Sequence, residues 1–268
     1  MGKAHRDKPK HLVIPDVQAK DGVSLEHLDW CGKYILRKRP DVVICIGDFA
    51  DMPSLSSYDA KGSKSYESKR YWTDIEVTKK AMKTLLTPLH EHNAEMQRQK
   101  KQQYHPRLVM TLGNHEDRIT RAIEADPQHL EGVISLEDLG YKEAGWEVYP
   151  FLQPVVIDGI AYCHYFPTGK LGKPAGSARQ IISQHHMSAF AGHAQGRDIA
   201  YAKRIDGKKM TAIICGSFYQ HDETYMPIPS NQHWRGIYVL HEVDDGQFDE
   251  MPVSLGFLEA EYGEGREA

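Results

Sequence analysis

The chain is 268 residues long, 40% hydrophobic and 26% charged, with a formal net charge of −4 when histidines are counted neutral. That size and balance fit a soluble globular chain of one large domain or two small ones, and the charge excludes a surface that is basic throughout, as in a dedicated nucleic-acid binder. No apolar run approaches the roughly 18 residues of a membrane span, and residues 1–10 are polar and basic without the apolar centre of a secretion signal. A cytoplasmic protein with no membrane partner is therefore expected. Cys31, Cys45, Cys163 and Cys215 are too scattered for a disulfide framework or a Cys-x-x-Cys zinc site, and read as buried thiols.

In chain order, Leu12-Val13-Ile14 reads as a strand, and Ser24 caps a helix with Leu25, Leu28, Cys31, Ile35 and Leu36 on one face, which Pro40 stops. A buried strand follows over 42–47. Residues 52–70 are rich in Ser, Lys and Tyr without periodicity and read as a long surface loop. Thr73-Asp74-Ile75-Glu76 has the form of a capping box and opens a helix that carries Ile75, Met82, Leu85, Leu86 and Leu89 and reaches the high nineties, with Pro88 a point of kinking. A third strand covers 108–112, and a short helix runs over 119–124 before Asp126-Pro127.

The second half reads as a hairpin turning at Asp158-Gly159, a helix over 178–186, strands over 187–191 and 210–215, and a closing hairpin of 237–243 and 248–258 around Asp244-Asp245-Gly246. The tail from 259 shows no apolar pattern and is expected to be loose. Strand and helix alternation followed by hairpins predicts an α/β (α+β) chain with two sheets face to face and helices outside, a single domain over 1–268. Residues 52–107 are expected as a loop and helix insertion. From 59 to 107 the chain carries eleven Lys and Arg against six acids, which reads either as a solvated helix face or as a positive wall that attracts phosphate.

Oxygen and imidazole donors cluster where apolar runs end: Asp16-Val17-Gln18, Gly47-Asp48-Phe49-Ala50-Asp51, Gly113-Asn114-His115-Glu116-Asp117, His164, and Gly192-His193-Ala194-Gln195. Their order and spacing resemble the calcineurin-like metallophosphoesterase superfamily, with Gln18 and Gln195 standing where that family has histidines. The resemblance covers residues 11 to 195 and implies a four-layer sandwich of two mixed β-sheets flanked by helices. It implies two divalent metal ions, one held by Asp16, Gln18, Asp48 and Gln195, the other by Asp48, Asn114, His164 and His193, with Asp48 bridging. Such a pair polarises phosphoryl oxygens and supplies hydroxide at neutral pH. By the same resemblance His115 assists the leaving group, and Asp51 orients it and keeps it protonated.

Amide oxygens are neutral and weaker donors than imidazole for zinc or iron. The first site is therefore expected to bind weakly and to prefer manganese, or magnesium, over zinc or iron. Around the metals, Arg118, Tyr219 and His221 are candidate substrate contacts. The stretches 53–59, 162–166 and 234–237 resemble a subgroup frequently encoded by bacteriophages, which would place the protein in the cytoplasm of a host cell.

The expected activity is hydrolysis of a phosphate ester, foremost a phosphodiester. The alternatives are a phosphomonoesterase; a DNA nuclease resembling the Mre-type repair enzymes, with Tyr58, Tyr66, Tyr71 and Trp72 stacking on a nucleic acid or nucleotide partner; and an inactive interaction scaffold. Retention of Asp51 and His115 beside the ligands argues against the scaffold.

Overall fold

A computed structural model describes residues 8–56, 69–222 and 233–263, so Tyr58 and Tyr66 lie outside the described residues. Three short apolar strands, β1 (His11–Ile14), β2 (Val42–Cys45) and β3 (Arg107–Thr111), run parallel, joined by α1 (Glu26–Lys38) and α2 (Tyr71–Arg98). Next come α3 (Asp117–Ala125), α4 (Pro127–Leu130) and the parallel edge strand β4 (Glu147–Tyr149). The chain then builds a second sheet from β5 (Val155–Ile157) and β6 (Ile160–Cys163). A small ribbon of β7 (Pro167–Thr168) and β8 (Lys173–Pro174), α5 (Ala178–His185), β9 (Ser188–Ala191), β10 (Arg197–Lys203) and β11 (Lys209–Cys215) follow. It returns to the first sheet through β12 (Gly236–Asp244) and β13 (Gln247–Ser254), and closes with α6 (Leu255–Tyr262). The sheet orders are β13-β12-β1-β2-β3-β4 and β10-β11-β9-β6-β5.

Alternation along each strand sorts side chains into three cores. Leu12, Ile14, Val43, Cys45 and Met110 face α1 and α2 with Leu28, Cys31, Met82 and Leu85. Their neighbours Val13, Ile44 and Val109 face the opposite way and meet Tyr162, Phe190 and Ile213 of the second sheet. The outer face of that sheet carries Ala161, Ala189 and Ala212 beneath Ile181 and Ile182 of α5. The result is an α/β sandwich in which helices, sheet, sheet and helix are stacked. Between β2 and β3 the described residues carry α2, on which Lys79, Lys80 and Lys83 are exposed. Among the described residues no helix is long and apolar enough to cross a membrane, and all four cysteines are free and buried.

Three local expectations are corrected. No capping box opens α2. The helix starts at Tyr71, and the Asp74 carboxylate instead accepts the Ser54 N–H at 2.9 Å. Pro88 lies inside α2, as expected, and its ring packs over Gly32 of α1, where a Cβ would lie 2.9 Å from Pro88 Cγ. The closing hairpin stops at Ser254, whose Oγ accepts the Phe257 N–H at 3.2 Å and caps α6. The tail is therefore ordered as far as Tyr262, because Leu258 is fully buried and Arg37 pairs with Glu261 at 2.6 Å.

His27 on α1 is 1% exposed and edge-on to Phe218, with ring centroids 5.1 Å apart. Burial pushes its imidazole from 6.5 down to about 3. The folded state thus keeps His27 neutral where the unfolded chain protonates it. This contribution is fully present above pH 6.5 and is lost as pH falls toward 3. By pH 5 the loss should be about 2 kcal/mol. His27→Leu should remove roughly that much of the fall in urea-unfolding free energy between pH 7 and pH 5; equal falls in both proteins would refute this role.

Candidate metal centre

The donors sit where parallel strands of both sheets end, the usual place for a site in an open α/β sheet. The loops after β1, β2, β3, β6 and β9 are laced together by their backbones. The Asp48 carbonyl accepts from Val17 N at 3.0 Å and Gln18 N at 2.8 Å, the Asp16 carbonyl from Phe218 N at 2.7 Å, and the His164 carbonyl from Gly192 N at 2.8 Å. Glycine precedes three of the donors for a steric reason. A Cβ on Gly113 would run into the backbone N and Oδ1 of Asp48, one on Gly192 into Asp16 Oδ1, and one on Gly47 would lie 2.6 Å from Gly113 N and 2.9 Å from His164 Nδ1. The loops approach too closely for any side chain there.

Ligand atoms of Asp48, His164 and His193 all lie within 4.8 Å of one another, so this buried cluster could hold a metal ion. His164 Nδ1 lies 2.9 Å from the Ile46 carbonyl, which can only accept, and this assigns a proton to Nδ1 and leaves Nε2 facing the cluster. Nε2 is 2.9 Å from Asn114 Oδ1 and 3.2 Å from Asp48 Oδ2, and His193 Nδ1 approaches the same Asn114 oxygen at 2.7 Å. Without a metal a proton on Nε2 bridges to these oxygens, and a divalent cation bound at the cluster would take that proton's place. Burial opposes protonation of His164, but the Asp48 carboxylate outweighs it and raises the ring to about 9. Burial, reinforced by His164, lowers His193 to about 4.

The first predicted set is placed less uniformly. Asp16 is fully buried, and both its oxygens lie 3.1 Å from the His193 N–H; burial raises its carboxyl to about 7. Gln18 is 1% exposed at φ 47°, and its Oε1 has no hydrogen-bond partner among the described residues. Gln195 Oε1 instead accepts from the Tyr219 hydroxyl at 2.9 Å. Tyr219 is fully buried and stacks on His221 at 4.4 Å.

His115 is 9% exposed, beside the cluster. Its backbone N–H donates to Asp48 Oδ1 at 2.9 Å. Its Nδ1 meets Asp51 Oδ1 at 2.8 Å as an ion-pair contact whose angle falls short of a well-directed hydrogen bond. Lys20 Nζ, 3.4 Å from Asp51 Oδ2, steadies the other oxygen. Burial opposes charging of His115, but Asp48 and then Asp51 outweigh it and raise its pKa. Arg118 donates to the carbonyls of Asp51 at 2.8 Å and Met52 at 3.2 Å and sets Nη2 3.1 Å from His115 Nε2. Its guanidinium therefore competes with a proton for that nitrogen.

Sequence reasoning gave Glu116 no role. It is fully buried and accepts from three backbone N–H groups, Asp48 at 3.0 Å, Ala50 at 2.9 Å and Gly113 at 2.8 Å, and from the Tyr141 hydroxyl at 3.1 Å. Burial, followed by repulsion from Asp48, raises its carboxyl. Its position inside the Gly-Asn-His-Glu run was the available signal. Tyr165, whose ring centroid lies 4.9 Å from that of His193, was also not singled out.

No protein-family profile matches the chain, and no curated relative matches it. Among solved structures the chain is similar to TT1561 of Thermus thermophilus, at 8% identity over 91% of this chain and 99% of that one, with a TM-score of 0.35. A second crystal structure is similar at 11% identity over 92% of this chain and 100% of that one, also with a TM-score of 0.35. Likenesses at this level carry no argument about activity.

Glu116→Ala leaves three buried backbone donors without an acceptor. At about 1–3 kcal/mol for each, and less than additively, urea unfolding should show roughly 3–5 kcal/mol of destabilisation. Gly113→Ala should leave a folded protein whose calorimetric affinity for Mn2+ drops at least roughly tenfold, since the added methyl displaces the Asp48 carboxylate. Unaltered Mn2+ binding in Gly113→Ala would contradict the steric account of the motif.

Proposed function

We propose that the protein is a metal-dependent hydrolase of phosphate esters, foremost a phosphodiesterase, with the fold and metal motifs of the calcineurin-like superfamily. The observation that carries this reading is the convergence of Asp48, Asn114, His164 and His193 on one point, with Asp16 and the unpaired Gln18 oxygen in the adjoining loops. The donor set fits divalent cations. It combines carboxylates, amide oxygens and imidazoles, and His164 is already oriented through its second nitrogen, as metal-binding histidines are.

Asp48, Asn114, His164 and His193 would hold the firmer ion, and Asp16, Gln18, Asp48 and Gln195 the weaker one. Manganese suits the two amides better than zinc does. When bound, the ions supply Lewis acidity toward phosphoryl oxygens and lower the pKa of water. The chain's own contribution is placement and proton handling. His115 stands beside the cluster to donate a proton to the departing oxygen, and Asp51, steadied by Lys20, fixes its ring. Arg118 anchors the Asp51 loop and must release His115 Nε2 for that nitrogen to carry the proton. For the nuclease reading, the Tyr71 hydroxyl is already engaged with Asp138 at 2.7 Å, which leaves Trp72, 56% exposed, as the ring free to stack.

The test is hydrolysis of bis(p-nitrophenyl) phosphate, p-nitrophenyl phosphate, and single- and double-stranded DNA, with Mn2+, Mg2+, Zn2+ or no added metal. Diester cleavage that requires Mn2+ is expected, with kcat in His115→Ala lower by roughly 10²–10⁴-fold. Failure to cleave anything under any metal, or full activity in His115→Ala, overturns the reading. Cleavage confined to DNA transfers it to the nuclease, and metal binding without turnover to the scaffold. In Gln195→His, metal analysis should show higher occupancy and a shift from manganese toward zinc. An unchanged profile would contradict the weak first site.

A further inference from the structure

A pocket of about 380 Å³ lies beside β3 and β4, lined by none of the candidate ligands but by segments next to those that carry them. The pocket opens to the surface, and its size falls within the range of small-molecule sites, which begin near 300 Å³. Leu112, Leu136, Val148 and Phe151 make its walls mostly apolar. These segments adjoin the metal site. Leu112 immediately precedes Gly113-Asn114, Tyr141 lines the cavity while its hydroxyl reaches Glu116, and Asp117 follows that glutamate. Phe151 faces the cavity and also packs near His164 and Tyr165, with ring centroids 6.3 and 5.5 Å away.

The charges on its wall decide what it can hold. Lys142 is the only cation in the lining among the described residues, and it pairs with Glu137 at 3.6 Å; Asp117 pairs with Arg121 at 3.2 Å, and Glu143 adds a negative charge. Three carboxylates, Asp117, Glu137 and Glu143, outnumber the single Lys142 on this wall, so a second phosphate would meet net negative charge. We propose that this cavity receives an uncharged apolar group, aryl or branched alkyl, esterified to the phosphate held at the metal cluster. The substrate would then be a small diester with one phosphate and one bulky apolar alcohol, not a nucleic-acid strand with a phosphate at every step. This assignment rests on the phosphoesterase reading for the reaction, but its binding half stands independently.

Two arms test it. Phenyl p-nitrophenyl phosphate and methyl p-nitrophenyl phosphate share a leaving group and differ only in the retained ester, so their ratio reads the cavity. Wild type should prefer the phenyl ester in kcat/KM by roughly tenfold to a hundredfold. Thr120→Trp, which places a ring in the cavity from α3, should bring the ratio to within about twofold by raising KM for the phenyl ester alone. Leu136→Trp serves if that variant fails to fold. The second arm needs no turnover: saturation-transfer NMR with 2-naphthol should detect binding to wild type and its loss in the Trp variant.

Absence of naphthol binding, or equal binding in both proteins, overturns the cavity assignment, and so does a phenyl preference untouched by the filled cavity. A wild type that binds naphthol but cleaves neither ester overturns the phosphoesterase reading instead.

Discussion

The site depends on one residue held in one unusual backbone conformation. Asp48 sits at φ 49°, a left-handed conformation that a non-glycine residue occupies only when its surroundings impose it. Each of its polar groups is committed. Its carbonyl takes the N–H groups of Val17 and Gln18, and its N–H goes to Glu116; Oδ1 takes the His115 N–H, and Oδ2 faces His164. Through these contacts the loops after β1, β2, β3 and β6 are bound to a single point. Gln18 at φ 47° and His193 at φ 65° are left-handed as well, so three of the motif residues hold backbone strain that the surrounding bonds must offset.

Glu116 is what makes such a conformation tolerable. A buried carboxylate normally repays its desolvation only when several donors converge on it. Here three backbone N–H groups do so, two from the Asp48 loop and one from the Asn114 loop, and the acid thereby sets the distance between the Asp48 and Asn114 side chains. The glycines complete the arrangement from the steric side. Loops that share hydrogen bonds at 2.8–3.0 Å leave no volume for a Cβ at 47 or 113, so Gly-Asp and Gly-Asn are consequences of how close the ligands must come.

How much of this was legible in the sequence follows from where each signal resides. Strands buried on both faces are continuous β-branched runs, and Val42-Val43-Ile44 could be read with little ambiguity. The Asp-Gly turns at 158–159 and 245–246 were equally plain, and both occupy positive φ at each residue. The strands β4 and β10 were not seen, because one is a three-residue edge and the other a polar, half-exposed strand without an apolar run. The α2 capping pattern misled because a local motif cannot report that Asp74 is taken by the backbone of Ser54. At the site, the motif spacing pointed to residues that the structure brings together, Asp48, His164 and His193 among them. The partners that position them were not legible, since Glu116, Lys20 and Tyr165 act through contacts that exist only after the loops have met.

The electrostatics explain why two amides can be accommodated in place of imidazoles. Asp16, Asp48 and Glu116 are all buried, and burial together with mutual repulsion raises Asp16 and Glu116 while His115 and His164 hold Asp48 below the usual carboxylate range. A cation at this cluster would displace the protons of the raised acids and hold the carboxylates charged, an effect that depends less on the identity of each neutral donor. Gln18 and Gln195 therefore have distinct consequences despite identical chemistry. The Gln18 oxygen is buried without a partner among the described residues and gains a bond from any ion that reaches it, whereas the Gln195 oxygen must first give up the Tyr219 hydroxyl. A hydrogen bond outside the ligand set would thus govern any ion that uses Gln195. Tyr219, stacked on His221, ties the Gln195 side chain to the segment that follows β11.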